Sequence, residues 1–451
     1  MYTKSFVEAT IAEAVEHRTA DGIARAIGSL ISAGTLNPGD QLPTVRALAG
    51  HLGVSPNTVS DAWRILQTHG AIRTDRRRGT SVRDRRAGIG GRYWQVPVAP
   101  GTIELDLSTG TPDKDLLPQL GPVLHRLHAD VATTSYVNRP VVVELETELR
   151  DRWPFPVEAI TVVDGAQDAL DRVVGELVKL GDTVIVEDPT FPPLIDMLEM
   201  AGASIIGVRL DEAGPRIDDL TAAMERNPVA LFTQPRAHNP TGVHISKKRT
   251  REMASVLANT ATVVVEDDHS AGATGVPIHS VGRILPDQVV HIHSFSKSHG
   301  PDLRIAALGG PERIISQVVQ RRQLGPSWTS RLIQQILLTM LQDPEAEAAV
   351  AHAAATYQKR REALHTSLAS HGVHAVPGAG LNVWVPVADE QRAVVALAAY
   401  GIGVAPGAPF HPTPSDDHHI RVSIGTLRSD AAKVAETIAS AARAPGIVTE
   451  W

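Results

Sequence analysis

The sequence predicts two domains of different class, a small winged helix-turn-helix (α+β) followed by a doubly wound α/β domain. Three observations predict this. The chain has 451 residues, too many for one ordinary domain. Its first 83 residues alternate amphipathic helical runs with turns and finish in two short β-type runs around an arginine-rich tip. From about Leu105 onward, β-branched runs alternate with helical runs, the pattern of a parallel sheet covered on both faces.

Composition narrows the function classes. Hydrophobic residues make up 43% and charged residues 21%, which fits a soluble globular protein rather than a disordered one. There are no cysteines, so disulfides, thiolate zinc sites and cysteine nucleophiles are excluded. Met1 to Thr35 lacks an apolar signal-peptide core, and charges or Pro/Gly interrupt every long apolar run. A cytoplasmic protein with no membrane span is expected. The net charge of −7 argues against nucleic-acid binding over the whole surface, but its distribution is uneven. Between Arg73 and Arg92 stand eight arginines and two aspartates, a net +6 within an acidic chain.

In chain order, Ile23, Ile27, Leu30 and Ile31 share one helical face. Asn37-Pro38-Gly39-Asp40 is a turn. A short helix is predicted over Pro43–His51 with Val45, Leu48 and Ala49 inward, broken by Gly53. Ser55 caps the next helix, whose apolar face is Val59, Ala62, Trp63 and Leu66; Gly70 ends it. Ala71-Ile72 and Ser81-Val82 flank the tip Arg76–Gly79 as two short strands.

The stretch Leu36 to Ala49 (L-N-P-G-D-Q-L-P-T-V-R-A-L-A), followed by Leu52-Gly53-Val54-Ser55-Pro56-Asn57-Thr58-Val59, resembles the GntR family of transcription regulators. The resemblance covers nearly all of residues 1–83. It implies a double-stranded DNA operator as partner, with Arg46, Ser55, Asn57 and Thr58 at the start of the recognition helix. It also implies that Thr44 and the wing residues Arg77, Arg78 and Gly79 reach phosphates or the minor groove. A recognition helix presents its N-terminal side chains to base edges, and arginines supply phosphate contacts. Pro56 stands where the family often has a basic residue.

Residues 84–104 read as a linker, interrupted by Gly88, Gly90, Gly91, Pro97, Pro100 and Gly101. Tyr93, Trp94, Val96 and Val98 are available to pack on a neighbour. Six buried strands are then predicted: Ile160–Val163, Thr183–Glu187, Ser204–Val208, Ala230–Thr233, Thr262–Glu266 and Val289–Ser294. Amphipathic helices such as Ala166–Leu180 and Lys247–Leu257 lie between them. Ligands on such sheets gather at strand C-terminal ends.

The candidate chemistry falls at those ends. Ser294 ends the last strand, Ser296 and Lys297 follow it, and Arg304 comes seven positions after the lysine. The lysine is placed to form a Schiff base, with Ser294 and Arg304 holding a phosphate beside it; on this stretch alone an ordinary loop lysine reads equally well. Gly165-Ala166-Gln167 opens a helix, whose free amides suit a phosphate. The pairs His291/His293 and His418/His419 lack further carboxylate or cysteine spacing, so no metal site is expected; His293 is expected beside the lysine site or in the strand core.

The pattern S-x-S-K-x-x-x-P-x-x-R at Ser294–Arg304 resembles the lysine motif of fold-type-I aminotransferases, which bind pyridoxal 5′-phosphate (PLP). The loop Gln234–Gly242, ending Asn239-Pro240-Thr241-Gly242, resembles the same family's N-P-x-N-P-T-G loop. The resemblance covers about Leu105 to Val448. It implies that Phe191 stacks on the PLP ring, Asn239 bonds its 3′-oxygen, Asp267 pairs with its ring nitrogen and Arg421 clamps a substrate or effector carboxylate. It implies that Tyr136 reaches the phosphate of a partner subunit, hence a homodimer. His269 stands where the family usually has a tyrosine and titrates near neutrality in its ordinary state. The implied architecture is a PLP-dependent aminotransferase-like domain over 105–451, with a smaller C-terminal α+β subdomain from about 335. Joined to the winged helix, the arrangement resembles the MocR subfamily. The resemblance implies a transcription regulator that senses PLP, an amine or an amino acid through Lys297. The alternatives are an active aminotransferase carrying a DNA-binding domain, and a domain that binds no PLP and only dimerises.

Overall fold

The structure is a computed structural model and describes residues 4–15, 17–32, 35–37, 39–68, 71–75, 79–82, 91–92, 103–127, 139–428 and 430–443. The chain divides into two compact units, with the main boundary between Gly91 and Arg92.

The first unit runs α1 (Lys4–Ala14), α2 (Ala20–Ser32), α3 (Val45–Leu52), α4 (Pro56–Thr68), β1 (Ile72–Asp75) and β2 (Gly79–Val82). Its core gathers the apolar faces read from the sequence, including Ile23, Ile27, Leu48, Val59, Trp63 and Leu66. Helix α1, which no sequence signal marked, adds Val7 and Ile11. Helix α3 starts at Val45, two residues later than expected, because Thr44 is its N-cap and accepts a hydrogen bond from Ala47 N at 3.2 Å. Gly53 ends α3 with φ +63°, a conformation that favours glycine. The hairpin is antiparallel, pairing Ile72 with Val82 and Asp75 with Gly79. Gly70 and Arg76–Arg78 lie outside the described residues.

The second unit begins β3 (Leu105–Asp106), α5 (Leu120–Arg126), α6 (Val143–Asp151), β4 (Ala159–Val163), α7 (Ala166–Leu177), β5 (Thr183–Asp188), α8 (Pro192–Ala201), β6 (Ser204–Asp211) and β7 (Gly214–Pro215). It continues α9 (Ile217–Met224), β8 (Ala230–Thr233), α10 (Lys247–Leu257), β9 (Val263–Asp268), β10 (Val289–Ser294), β11 (Ala306–Gly310), α11 (Glu312–Gln323), α12 (Arg331–Leu341) and α13 (Pro344–Ser370). Last come β12 (Asn382–Pro386), α14 (Glu390–Ala399), β13 (Ile402–Gly403), β14 (Ala405–Pro406), β15 (His419–Ser423) and α15 (Ala431–Ala442). The central sheet has eight strands in the order β4-β11-β10-β9-β8-β5-β6-β7. Strands β5, β8, β9 and β10 are mutually parallel, and β11 runs antiparallel between β10 and β4. All six expected strands are present. Two were not expected, the two-residue edge strand β7 and β11, which is inserted between β4 and β10. β11 reads Ala-Ala-Leu-Gly-Gly and is wholly buried, and a Cβ on Gly309 would meet the Trp153 ring at 2.6 Å. Such a strand carries none of the β-branched signal.

A second core lies around the three-stranded sheet β12-β15-β14 with α13, α14 and α15. Leu107 and the β3–β13 pairing join it, so the first residues of the large domain belong to the C-terminal layer. Of the expected linker, Tyr93, Trp94, Val96 and Val98 fall outside the described residues. Arg92 is anchored within the large unit, its amide donating to Asp196 Oδ2 at 2.9 Å.

Candidate cofactor and DNA-recognition sites

In the small unit, Arg46 and Asn57 are exposed in the first turns of α3 and α4; Arg46 therefore stands on the helix before the recognition helix, not at the start of the recognition helix as expected. Ser55 Oγ accepts from Thr58 N at 3.1 Å and lies 2.9 Å from Thr58 Oγ1. Both hydroxyls, like that of Thr44, therefore set a helix start. Gly79 opens β2 with φ +82°. Arg77 and Arg78 lie outside the described residues.

In the large unit, a cavity of about 240 Å³ opens at the C-terminal ends of the parallel strands. Ala166, Gln167, Phe191, Asn239, Asp267, His269, Ser294, Ser296, Lys297, Arg304 and Arg421 all line it. Gly165 caps α7 just behind the lining with φ +100°. A Cβ there would come within 3.0 Å of Arg304 Nη2. Arg304 itself has φ +46° and donates to Asp164 O at 3.2 Å. Tyr136 lies outside the described residues.

The electrostatics follow from burial. The Lys297 amine donates to Gly110 O at 2.5 Å; burial, and behind it the Arg421 charge, hold it down to about 8. Burial pushes the Asp267 carboxyl up to about 7 against a 3.1 Å hydrogen bond from Gln234 Nε2. Its other oxygen, Oδ1, is buried with no hydrogen-bond partner among the described residues. Burial, with the Lys297 charge behind it, holds His269 down to about 3, so the imidazole is neutral at physiological pH. The titration expected near neutrality is removed by desolvation. His269 Nε2 lies 2.8 Å from Ser270 Oγ, and its buried Nδ1 has no such partner.

Several residues here had no role in the sequence reading. Gln234 ties the site together: its Oε1 accepts from Asn239 N at 2.7 Å while its Nε2 reaches Asp267. Glu187, at the end of β5, accepts from Gln234 N at 2.9 Å and from Thr233 Oγ1 at 2.6 Å. Asn382 Nδ2 and Arg421 Nη1 both donate to Asn239 Oδ1, at 3.2 and 3.1 Å. Arg421 Nη2 donates to Ser108 O, and its guanidinium lies 5.1 Å from the Phe410 ring centroid. Gln234 was legible as the first residue of the asparagine loop. Gly110 and Asn382 come from segments with no local signal.

Residues 19–82 match the bacterial regulatory proteins of the gntR family, and residues 102–438 match aminotransferase class I and II. The chain is 34% identical over 424 residues to the vitamin B6 salvage pathway transcriptional repressor PtsJ of Salmonella typhimurium, covering 92% of this chain and 96% of that one. The chain belongs to the MocR subfamily of GntR-type transcription regulators. The chain is also similar to the HTH-type transcriptional regulator TauR of Rhodobacter capsulatus, 26% identical over 467 residues, covering 92% of this chain and 94% of that one. In fold, the large domain is similar to Thermus thermophilus aspartate aminotransferase with maleate (TM-score 0.68, 24% identity, 75% of this chain and 91% of that one).

The cofactor of the aminotransferase-like domain in this MocR-type chain is pyridoxal phosphate, and the cavity fits it. A buried acidic oxygen with no partner among the described residues, Asp267 Oδ1, suits a protonated ring nitrogen. A lysine amine lowered to about 8 suits the aldehyde. The start of α7, with a glycine that leaves Arg304 room, suits the phosphate. Among the described residues no helix is long and apolar enough to cross a membrane.

Proposed function

We propose that this regulator responds to pyridoxal phosphate itself, captured at Lys297, and that the captured ligand changes its affinity for an operator. The observation that carries this is the meeting of the Lys297 amine and the unpartnered Asp267 oxygen in one cavity. The likeness along nearly the whole chain to a vitamin B6 salvage repressor supports it. In this reading Lys297 holds the aldehyde carbon, Asp267 the ring nitrogen, and Phe191 the ring face. Asn239 and neutral His269 bond the 3′-oxygen. Gly165, Ala166, Gln167, Ser294, Ser296 and Arg304 hold the phosphate, with Tyr136 reaching from a second copy. When bound, the cofactor supplies an aldehyde that condenses with amines and a ring that withdraws electrons.

The chain acts as a cytoplasmic homodimer, nucleoid-associated when bound to DNA, on an operator of two half-sites. Residues 1–83 bind DNA, 84–104 link and 105–451 sense. Arg46, Asn57 and Thr58 read bases, while Thr44, Ser55, Arg77, Arg78 and Gly79 set the backbone approach. The test is the visible absorption spectrum before and after borohydride, with the modified peptide mapped, and operator affinity with and without PLP. A yellow species fixed on Lys297 and a shift in affinity are expected. Protein that stays colourless with added PLP overturns the reading.

A second reading rests on Arg421. Its guanidinium lines the same cavity, where it would hold the carboxylate of an amino acid presented to the cofactor. An amino-acid effector, or residual transamination, then uses the same site. Sustained turnover of an amino acid with a keto acid would establish an enzyme; a spectral shift without turnover would establish an effector.

A further inference from the structure

Strand alternation sends neighbouring residues of β9 and β10 to opposite faces of the sheet. Asp267 and Ser294 face the cofactor cavity. Asp268 and His293 therefore face the other side, where a separate cavity of about 690 Å³ is lined by His293, Phe295, Ser298 and Arg236. His291 and His293, two apart on β10, share this face. Of the two places expected for His293, it takes the strand, packing its ring 4.8 Å from that of Phe295, and does not line the lysine site.

The carboxylate that the histidine pair lacks in sequence arrives from β9. Asp268 Oδ2 lies 3.7 Å from His293 Nδ1 and 3.9 Å from His291 Nε2, and all three atoms lie within 4.8 Å of one another. We propose that Asp268, His291 and His293 form a binding site for a divalent metal ion of the zinc class, on the face of the sheet opposite the cofactor.

Three observations carry this. First, the tautomer of His291 is set. Its Nδ1 lies 3.0 Å from Glu266 Oε2, which also accepts from Ser280 Oγ at 2.7 Å. Glu266 is an acceptor, so Nδ1 carries the proton and Nε2 presents a lone pair. A carboxylate behind a ring nitrogen is the usual support of a metal-bound imidazole. Second, that Nε2 belongs to a fully buried side chain and has no hydrogen-bond partner among the described residues. A lone pair aimed at a carboxylate oxygen, both dry, calls for a cation between them. Third, the carboxylate has capacity left. Its Oδ1 accepts from Arg236 Nε at 2.8 Å and Ala271 N at 3.2 Å, and its Oδ2 from Arg236 Nη2 at 2.7 Å. Of about four acceptor positions, one remains, on Oδ2, the oxygen nearest both histidines.

Two imidazoles and one carboxylate suit zinc, nickel or cobalt rather than calcium or magnesium. A tetrahedral ion bonded at about 2.0–2.1 Å holds its ligand atoms roughly 3.4 Å apart, a few tenths of an ångström closer than Asp268 Oδ2 stands to either imidazole nitrogen, and the two imidazoles, whose ligand atoms lie within 4.8 Å of each other, close on the ion with it. His293 is partly exposed to the cavity, so the fourth position opens there. The Arg236 charge beside Asp268 weakens the site but locks the carboxylate in place.

The test uses the full-length, PLP-loaded protein, stripped with a chelator and titrated with Zn²⁺ against a chromophoric chelator. One Zn²⁺ per chain is expected. His293→Ala should weaken binding by at least about tenfold. His293→Glu, which keeps a ligand atom there, should restore it, and His299→Ala, in the same cavity but outside the cluster, should leave it unchanged. Matching near-UV circular dichroism shows that the variants are folded. Absence of stoichiometric binding, or equal binding by wild type and His293→Ala, overturns the proposal; a water then bridges His291 and Asp268.

Discussion

At the scale of single residues, the cofactor site is a set of opposed charges stripped of water. The Lys297 amine, lowered to about 8, is the clearest case. Only the neutral amine attacks an aldehyde. The rate of PLP capture by the apoprotein should therefore rise with pH and level off above about 8, read by stopped-flow absorbance; a flat profile from pH 6 to 9 would remove this role for burial. Asp267 titrates in the opposite sense to an ion-paired carboxylate. Its folded value is raised from 3.8 to about 7. Its contribution to stability is thus present in full below pH 3.8 and lost as pH rises through about 7. Without cofactor, Asp267→Asn should be more stable than the wild-type apoprotein at pH 8, by on the order of a few kcal/mol. The same variant should bind PLP poorly, because the ring nitrogen loses its counter-charge. Chemical denaturation at pH 5 and pH 8 checks the sign: the gain should shrink at the lower pH.

Among elements, loops at strand ends position the site, and each loop is fixed by one or two local features. Gly165 shows this best. It begins α7 at φ +100°, and a Cβ would press on the Arg304 guanidinium at 3.0 Å. Gly165→Ala should leave the fold and the ligand-free operator affinity intact. It should weaken PLP binding by at least about tenfold, since both the helix start and the phosphate arginine must shift. Measured PLP affinity equal to wild type would show that the phosphate sits elsewhere. Local features of this kind are why the six parallel-type strands and the loops after them were legible in the sequence. β-branched runs announce the strands, and Asn-Pro-Thr-Gly or Ser-x-Ser-Lys announces the loop. What was illegible shares one physical cause: dependence on distant parts of the chain. β11 is built of small residues because Trp153 and β10 press on it from either side. Gly110 accepts from Lys297 across 187 positions, and Asn382 reaches Asn239 across 143. His269 is neutral because the fold buries it, which no reading of its neighbours in sequence supplies.

For the whole molecule, the question is whether the two units communicate. A regulator needs the ligand to favour one of two states that differ in DNA affinity, and thermodynamics then requires the coupling to be mutual. If PLP changes the operator Kd by some factor, saturating operator must change the PLP Kd by the same factor. A coupling of 1–3 kcal/mol corresponds to roughly 5- to 150-fold, well within reach of fluorescence anisotropy and absorbance titrations. Two variants separate the units. Lys297→Ala should keep operator binding near its ligand-free value and lose the response to PLP. Arg46→Ala, on the exposed face of α3, should lose roughly 1–3 kcal/mol of operator affinity while its spectrum with PLP is unchanged. If Lys297→Ala instead responds to PLP as wild type does, the ligand acts away from the lysine. If both variants lose both functions, the defect lies in folding or assembly and not in a site. Equal coupling factors measured from the two directions in the wild type, lost in Lys297→Ala, would tie the chemistry of one buried amine to the occupancy of an operator.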